Sequence, residues 1–405
     1  MNLTQKILST LLAASIRENE IKRLDFDKIN WEEVYEESKA HAVSALIYPT
    51  IKALSKSCNI PNELMEDWTK DAIMNGIYQN QNISRMKKVF KVFEESCVPV
   101  IAIKGLILRD LYPRPEFRTM SDSDLLINSV NTKDAEKVLM DLGYSKLSSI
   151  GHESCFVHDS AFSIDLHWSL INEDHLKNTA HFQNTLWQNL RTYDFHGVKI
   201  KALSLEYELI HLFIHMASHM IKSGFGVRQL CDIVVFIEKE GCNINWDIVS
   251  SLGDLCKLNK FINTILIICN NLFNLDIPKA YNKSYPNSKE YIKFLTNEIW
   301  ESGVYGCKNE ERASSIMLFA HNFKANSNTN IYKLILRYLF PSKDRLDKRF
   351  SYAVKYPSLL VFAWIHRLIY QLFFNASLRI KNLIKLKSTA SLVRDRFELI
   401  KWLQL

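Results

Sequence analysis

Glycine and proline are scarce, at 11 and 9 in 405 residues. Their scarcity argues against a turn-rich all-β chain and favours long helices. None of the eight cysteines, at positions 58, 97, 155, 231, 242, 256, 269 and 307, stands in a C-x-x-C pair. Most lie in apolar surroundings and read as reduced core residues of a cytoplasmic protein, not as a disulfide frame or a zinc site. No long uninterrupted apolar run is present. The nearest to one, 357–374, is broken by His366, Arg367 and Gln371, so no transmembrane segment is expected. The apolar residues near the N-terminus share one helical face and are followed by Glu18 and Glu20, which speaks against a signal peptide. Internal repeats and low-complexity tracts are lacking. Strong charge of one sign is lacking too. The net +7 permits an anionic ligand such as a nucleotide, but it does not indicate a surface that tracks nucleic acid.

What is present is apolar periodicity. Hydrophobic residues make up 47% and charged residues 23%, ordinary for a globular chain long enough for two or three cores. Residues 1–95 read as a helical region. Leu3, Ile7, Leu11 and Leu12 have helical spacing, and Asn30 looks like a cap before an acidic first turn. A short helix is expected over 41–49. A longer pattern then begins at Pro61 and runs through Ile73, Ile77, Ile83, Met86, Val89 and Phe93. From 96 to 203 the character changes. Strands are expected at 98–103, 122–127, 155–158 and 162–168, a helix at 132–142 stopped by Gly143, and one more strand around His196-Gly197. From 204 to 345 helices return, at 205–220, 227–240, 246–258, 261–273, 289–305 and 309–323, with a polar loop at 326–330. Residues 346–405 form a basic helical segment. The fold expected is therefore α+β: a small mixed-sheet core embedded in large N- and C-terminal helical regions.

The chain is organised around Cys97 to Asn128. An apolar strand ends at Lys104-Gly105, a proline-containing loop follows, and a second strand opens on Asp122 and Asp124. Side chains alternate along a strand, so these two carboxylates share a face. Two acids ahead of Leu-Leu-Ile suit a cation held between them. Nucleotidyl transfer needs such a pair, because two divalent ions clamp the attacking and leaving oxygens. Mg²⁺ or Mn²⁺ takes hard oxygen ligands. A third carboxylate fits at Asp165, in a strand where Ser163, Asp165 and His167 face away from the core side of Phe162, Ile164 and Leu166. Lys104-Gly105 offers a close backbone approach, a helix start and a point charge for phosphates. Arg118 is the nearest further cation, with Arg109 and Arg114 as alternatives.

These residues carry a likeness. The run from Ile103 to Ile127, followed by Ile164 to Trp168, resembles the uncharacterised nucleotidyltransferase family of bacterial genomes, within the polymerase-β-like superfamily. His41 to Tyr48 is similar to its N-terminal helical motif. Glu206, Glu208, His211, His215 and His219, then Arg228 and Asp232, are similar to its helical motif after the core. Tyr338 to Ser342 is similar to its C-terminal signature. The resemblance covers most of residues 1–370. It implies two metal ions on Asp122, Asp124 and Asp165, and an NTP whose phosphates meet Lys104, Gly105 and Arg118. The activity implied is NMP transfer with release of pyrophosphate. Where the wider superfamily has a glycine-serine pair, this chain has Gly105-Leu106, so no hydroxyl follows the glycine.

His211, His215 and His219 stack on one helix face. A zinc site there is conceivable with Asp232, but buried packing imidazoles fit the pattern better. His167, His215, His219, Arg228 and Asp232 are candidates to line the cleft, and Asp232 could equally be a plain salt-bridge partner of Arg228. The mixed basic and apolar segment from Leu378 to Lys401 reads as a solvated helix face, with peripheral membrane contact as the alternative. The acceptor is open: a small molecule or protein suits the mild charge better than RNA. A catalytically inactive nucleotidyltransferase fold serving as a binding or scaffolding protein is the competing reading.

Overall fold

The computed structural model describes residues 1–21, 29–55, 58–170, 179–304, 306, 308, 340, 346, 348–350, 352–374, 392 and 394–405. The helix expected over 309–323, the loop at 326–330, most of the 338–342 signature and the basic stretch 378–391 lie outside these residues. The chain groups into two compact units, Met1–Gly306 with Trp402–Leu405, and Cys307–Lys401.

In the first unit the helices are α1 (Leu3–Ser15), α2 (Trp31–Ala40), α3 (Ser44–Leu54), α4 (Asn62–Glu95), α5 (Gly105–Leu108), α6 (Thr132–Asp141), α7 (Ala180–Thr185), α8 (Leu205–Lys222), α9 (Val227–Glu240), α10 (Trp246–Leu255), α11 (Asn259–Phe273) and α12 (Ser288–Ser302). The strands are β1 (Val100–Ala102), β2 (Asp122–Ile127), β3 (Ser145–Ile150), β4 (Glu153–His158), β5 (Ala161–His167), β6 (Leu190–Phe195) and β7 (Val198–Leu203). They form one mixed sheet in the order β3-β4-β5-β2-β1-β7-β6. Two pairings are parallel, β2 with β5 and β1 with β7, and the others are antiparallel. The fold is α+β, with the sheet set among helices.

Two expectations from the sequence change here. The single strand around His196-Gly197 is a hairpin, β6–β7, whose turn is that dipeptide. His196 (φ 50) and Gly197 (φ 87) both take positive φ, as a tight two-residue turn with the strands' own twist requires. Strand β3 had no sequence counterpart. Its Ser-Lys-Leu-Ser-Ser-Ile lacks apolar alternation, and Leu147 is exposed at this sheet edge.

In the second unit the described residues include helices Tyr352–Lys355 and Leu360–Phe374. A small apolar cluster of Phe350, Ala353 and Ala363 sits there. No described helix is long and apolar enough to cross a membrane.

One face of the sheet is dry. Met86, Val89, Phe90 and Phe93 of α4 and Ala135, Val138 and Leu139 of α6 pack with Leu125, Ile127, Phe156, Ile164 and Leu166 of the strands. Helix α4 runs 34 residues because nothing interrupts it: after Pro61 it holds no proline and one glycine, Gly76. Its inward face is not wholly apolar. Asn75 Nδ2 donates to the Glu116 carbonyl at 2.9 Å, Gln79 Nε2 to the Met120 carbonyl at 2.9 Å, and Asn82 Nδ2 to Ser123 Oγ at 3.1 Å. Each bond spans 41 residues. One helix face thus holds the loop before β2, and the first turn of β2, in fixed register.

The N-terminal helices are tied to α9 by the Arg17–Glu238 ion pair and by a buried imidazole. Buried His41 accepts the Val227 N–H on Nδ1 at 3.3 Å, satisfying a donor in the first turn of α9. Gly226 is the residue that allows this approach: a Cβ there would lie 2.7 Å from His41 Nδ1 and 2.9 Å from the Gly303 backbone. Gly226→Ala is expected to destabilise the protein by about 1–3 kcal/mol, the usual cost of overpacking a site with little room to yield. Urea unfolding of the variant against wild type measures it.

Candidate active site

Strand β2 begins with Asp122 and Asp124 on one face, while Ser123 between them is fully buried against Asn82 on the other. Because β2 and β5 pair in parallel, Asp124 lies directly beside Asp165, and Asp122 beside Ser163. The three carboxylates therefore border one cavity of about 370 Å³, together with Lys104, Gly105 and Arg118. His167, His215, His219, Arg228 and Asp232 border the same cavity.

Asp124 is the most tightly held. Its Oδ1 accepts from Lys104 Nζ at 2.6 Å and meets His167 Nε2 at 2.8 Å. Burial works to raise this carboxyl, but the Lys104 ammonium and the His167 hydrogen bond outweigh it and hold the group well below the usual carboxylate range. Asp122 goes the other way. Burial raises it, and the neighbouring charge of Asp124 adds to that, with Lys104 offsetting only part. Asp165 is also raised, chiefly by burial and further by Asp124, while a hydrogen bond with Cys155 works to lower it. Two of three adjacent carboxylates are thus short of positive charge. Hard oxygen donors gathered on one cavity with unrelieved repulsion fit a divalent cation such as Mg²⁺ or Mn²⁺.

The turn after β1 is built for position. Lys104 is a non-glycine residue at φ 52, ψ −123. Its backbone N–H donates to Glu208 Oε1 at 3.1 Å. Glu208, fully buried in the first turns of α8, is pushed up to about 7, mainly by burial. Its Oε2 has no hydrogen-bond partner among the described residues. Glycine at 105 has a packing reason: a Cβ would come within 2.6 Å of Met120 Sδ and 2.8 Å of Arg118 Nη1. Leu106, the next residue, carries no hydroxyl and is buried in the sheet core.

The arginines separate. Arg114 is exposed and pairs with Glu18. Arg109 is buried and donates to the Gln79 carbonyl. Arg118 does border the cavity, but its guanidinium is bidentate on Asp232, with Nε to Oδ1 at 3.1 Å and Nη2 to Oδ2 at 2.7 Å. Tyr112 Oη donates to the same Oδ1 at 2.8 Å. Asp232 is therefore the partner of Arg118. Arg228 instead donates to the Thr119 carbonyl at 3.0 Å. Both contacts anchor the loop before β2 onto α9.

Helix α8 forms the opposite wall. His211, His215 and His219 follow one face, with His215 Nε2 and His219 Nε2 3.0 Å apart, so one donates to the other. Burial drives all three imidazoles down, to about 3 for His211 and about 4 for His219, with Lys104 adding to it. These are uncharged histidines.

Two residues at the rim had no sequence assignment: His152 and Glu153. Glu153 is the cross-strand neighbour of His167, and its Oε2 lies 3.2 Å from His167 Nδ1 and 3.9 Å from His152 Nε2. Strand β4 starts two residues earlier than its apolar pattern suggests, which places Glu153 on the strand. The period of two from Asp165 to His167, carried across the hairpin, is the signal that points to it.

A family model described as "Uncharacterised nucleotidyltransferase" matches residues 27–274. No curated protein matches the chain. Among solved structures, the antibiotic-resistance factor ANT(2'')-Ia is 11% identical, with a TM-score of 0.32, covering 43% of this chain and 90% of its own. The lincosamide antibiotic adenylyltransferase LnuA, lincomycin-bound, is 17% identical at a TM-score of 0.29, covering 38% and 94%. An antigenic nucleotidyltransferase-like protein from Paracoccidioides brasiliensis is 14% identical at a TM-score of 0.34, covering 51% and 98%.

The neutral histidines set a pH dependence. His211 ordinarily titrates near 6.5 and in the folded chain near 3. Between these values the unfolded state binds more protons, so the stability present above about pH 6.5 is lost as pH falls. Glu208 acts in the opposite sense, so the expectation is a difference. Going from about pH 7 to about pH 5, wild type loses about 2 kcal/mol more than His211→Gln. Urea titrations at the two pH values measure it.

Proposed function

The chain belongs to the uncharacterised nucleotidyltransferase family, and from that membership we propose that it transfers a nucleoside monophosphate from an NTP to an acceptor hydroxyl or amine. The observation that carries this reading is the alignment of Asp124 with Asp165 across the parallel β2–β5 pair, with Asp122 two residues away on the same face. Asp122, Asp124 and Asp165 are the residues that would hold one or two Mg²⁺ or Mn²⁺ ions. When bound, such ions neutralise charge on the attacking and leaving oxygens of an in-line displacement.

The chain's own groups do the rest. The acceptor oxygen or nitrogen attacks the α-phosphorus. The bond from that phosphorus to the bridging oxygen breaks, and pyrophosphate leaves with the electron pair. The acceptor's proton passes to Asp165, the acid at the neighbouring strand. Lys104 supplies positive charge beside Asp124, where the triphosphate's negative charge arrives. Gly105 leaves room for Arg118 at the cavity edge, and Asp232 fixes the direction of that guanidinium. Lys222 and Arg228 border the cavity on the helical side and add to its attraction for phosphate. A cavity of about 370 Å³ suits a nucleotide and a small acceptor or one protein side chain better than an RNA duplex end. The seven described cysteines are all free, which favours a reducing, cytoplasmic setting.

One observation favours a second reading, a binding module without catalysis. Leu106 replaces the hydroxyl of the wider superfamily and is buried, so the phosphates lack that donor.

The test is incubation with α-labelled NTPs, Mg²⁺ and a cell extract, followed by identifying the labelled molecule. Wild type is expected to transfer label, and Asp122→Asn and Asp165→Asn to lower it by at least about a hundredfold, the loss of several kcal/mol of charge stabilisation. Nucleotide binding without transfer of any label would support the binding module instead. Equal Mg²⁺-dependent NTP binding by wild type and Asp124→Ala in calorimetry would sink the metal assignment.

A further inference from the structure

The rim of the cavity holds a second set of donors that the transfer reaction does not use. His152 sits in the turn that opens β4. Its carbonyl is fixed by the Trp168 N–H at 3.0 Å, which holds the turn against the end of β5. Gly151 before it takes positive φ, so the turn can present His152 and Glu153 together even though adjacent strand residues face apart. Glu153 and His167 are direct neighbours across the antiparallel β4–β5 pair. One ligand atom from each of the three residues lies within 4.8 Å of the others. The shortest separation, 3.2 Å from His167 Nδ1 to Glu153 Oε2, is close to the edge of about 3.3 Å expected around a tetrahedral ion with bonds of about 2.0–2.1 Å.

The orientation of His167 fits the same purpose. Its Nε2 faces Asp124 Oδ1 at 2.8 Å and its Nδ1 faces Glu153 Oε2 at 3.2 Å, so the ring bridges the two carboxylates. With Nε2 donating to Asp124, Nδ1 is the nitrogen that would turn its lone pair to an ion held between Glu153 and His152. An imidazole that binds metal through one nitrogen and donates its other N–H to a carboxylate is the usual support of a metal-ligating histidine. Two imidazoles and one carboxylate are borderline donors. They suit Zn²⁺, Co²⁺, Fe²⁺ or Mn²⁺, whereas Mg²⁺ prefers oxygen alone.

We infer that His152, Glu153 and His167 form a binding site for a single first-row transition-metal ion, distinct from the Asp122–Asp124–Asp165 corner and linked to it through the His167–Asp124 hydrogen bond. Three protein ligands leave at least one coordination position open. This site stands whether or not nucleotidyl transfer does, because its ligands need no nucleotide.

The test uses full-length protein stripped with a chelator and kept free of nucleotide. Co²⁺ is titrated in while its ligand-field absorption is followed, and bound metal is counted after dialysis. One equivalent of Co²⁺ with absorption that excess Mg²⁺ does not remove is expected. His152→Ala and Glu153→Gln should each weaken that binding by more than about tenfold. Asp165→Asn should leave it in place. Far-UV circular dichroism checks that the variants fold, and Glu153→Gln, at a partly exposed position, keeps the side-chain shape. Absorption that survives both substitutions, that shows thiolate-to-cobalt charge transfer, or that Mg²⁺ abolishes would overturn the inference. Loss of label transfer in the earlier assay with Co²⁺ binding intact would count against the transferase reading alone.

Discussion

One carboxylate oxygen organises this protein's polar chemistry. Oδ1 of Asp124 takes Lys104 from β1's end and His167 from β5's end at once. A carboxylate this far withdrawn from water is too costly to keep ionised without partners, and both partners are themselves mostly withdrawn from solvent. The three groups therefore hold one another in place. That mutual dependence explains the backbone around them. Lys104 accepts an unfavourable φ because its side chain must reach Asp124 while its N–H meets Glu208. His167 ends its strand facing the cavity because it lies two residues past Asp165, the cross-strand neighbour of Asp124, on the same face. Asp122 and Asp165 lack an equivalent partner and carry the strain as raised carboxyls.

The apolar half of the fold serves this arrangement by fixing register. A sheet whose strands slipped by one residue would turn its acids into the core. Leu125, Ile127, Ile164 and Leu166 prevent that on one face. Helix α4 prevents it a second way, through three amides a turn apart that bond the backbone or side chain of residues 116, 120 and 123. The Arg118–Asp232–Tyr112 cluster fixes the same loop from α9. The loop before β2, which holds only short 3-10 turns of its own, is thus anchored from both α4 and α9.

How much of this was legible depended on distance in sequence. The strand 122–127 reads directly, because acids at i and i+2 before Leu-Leu-Ile leave one period and one face. Asp165 reads by the same alternation in β5. The helix 227–240 follows from apolar spacing, and the helix expected over 246–258 is present but ends at Leu255. What did not read is non-local or non-periodic. Strand β3 has no apolar face to show. The β6–β7 hairpin hides its turn in a histidine at positive φ. Nothing near Arg118 announces that its partner is Asp232, 114 residues on, and phosphate was the natural assignment for a lone arginine there. At Gly105 the immediate need for a missing Cβ comes from Met120 and Arg118, neighbours that lie 15 and 13 residues on and that local pattern does not reveal.

The cavity's two walls differ in kind. The sheet side carries charge of both signs. The α8 side presents His211, His215 and His219, whose imidazoles stay neutral because burial and the Lys104 ammonium both oppose a further proton. A protonated imidazole there would also compete with Lys104 for the carboxylates. Neutral imidazoles offer hydrogen bonds without adding charge, donating on one nitrogen and accepting on the other. On the proposed transfer reading, Lys104, Lys222 and Arg228, with a cation on the carboxylates, would meet the charge of the phosphates. The neutral histidines between them would be left for a group recognised by hydrogen bonding, such as a base edge or an acceptor hydroxyl.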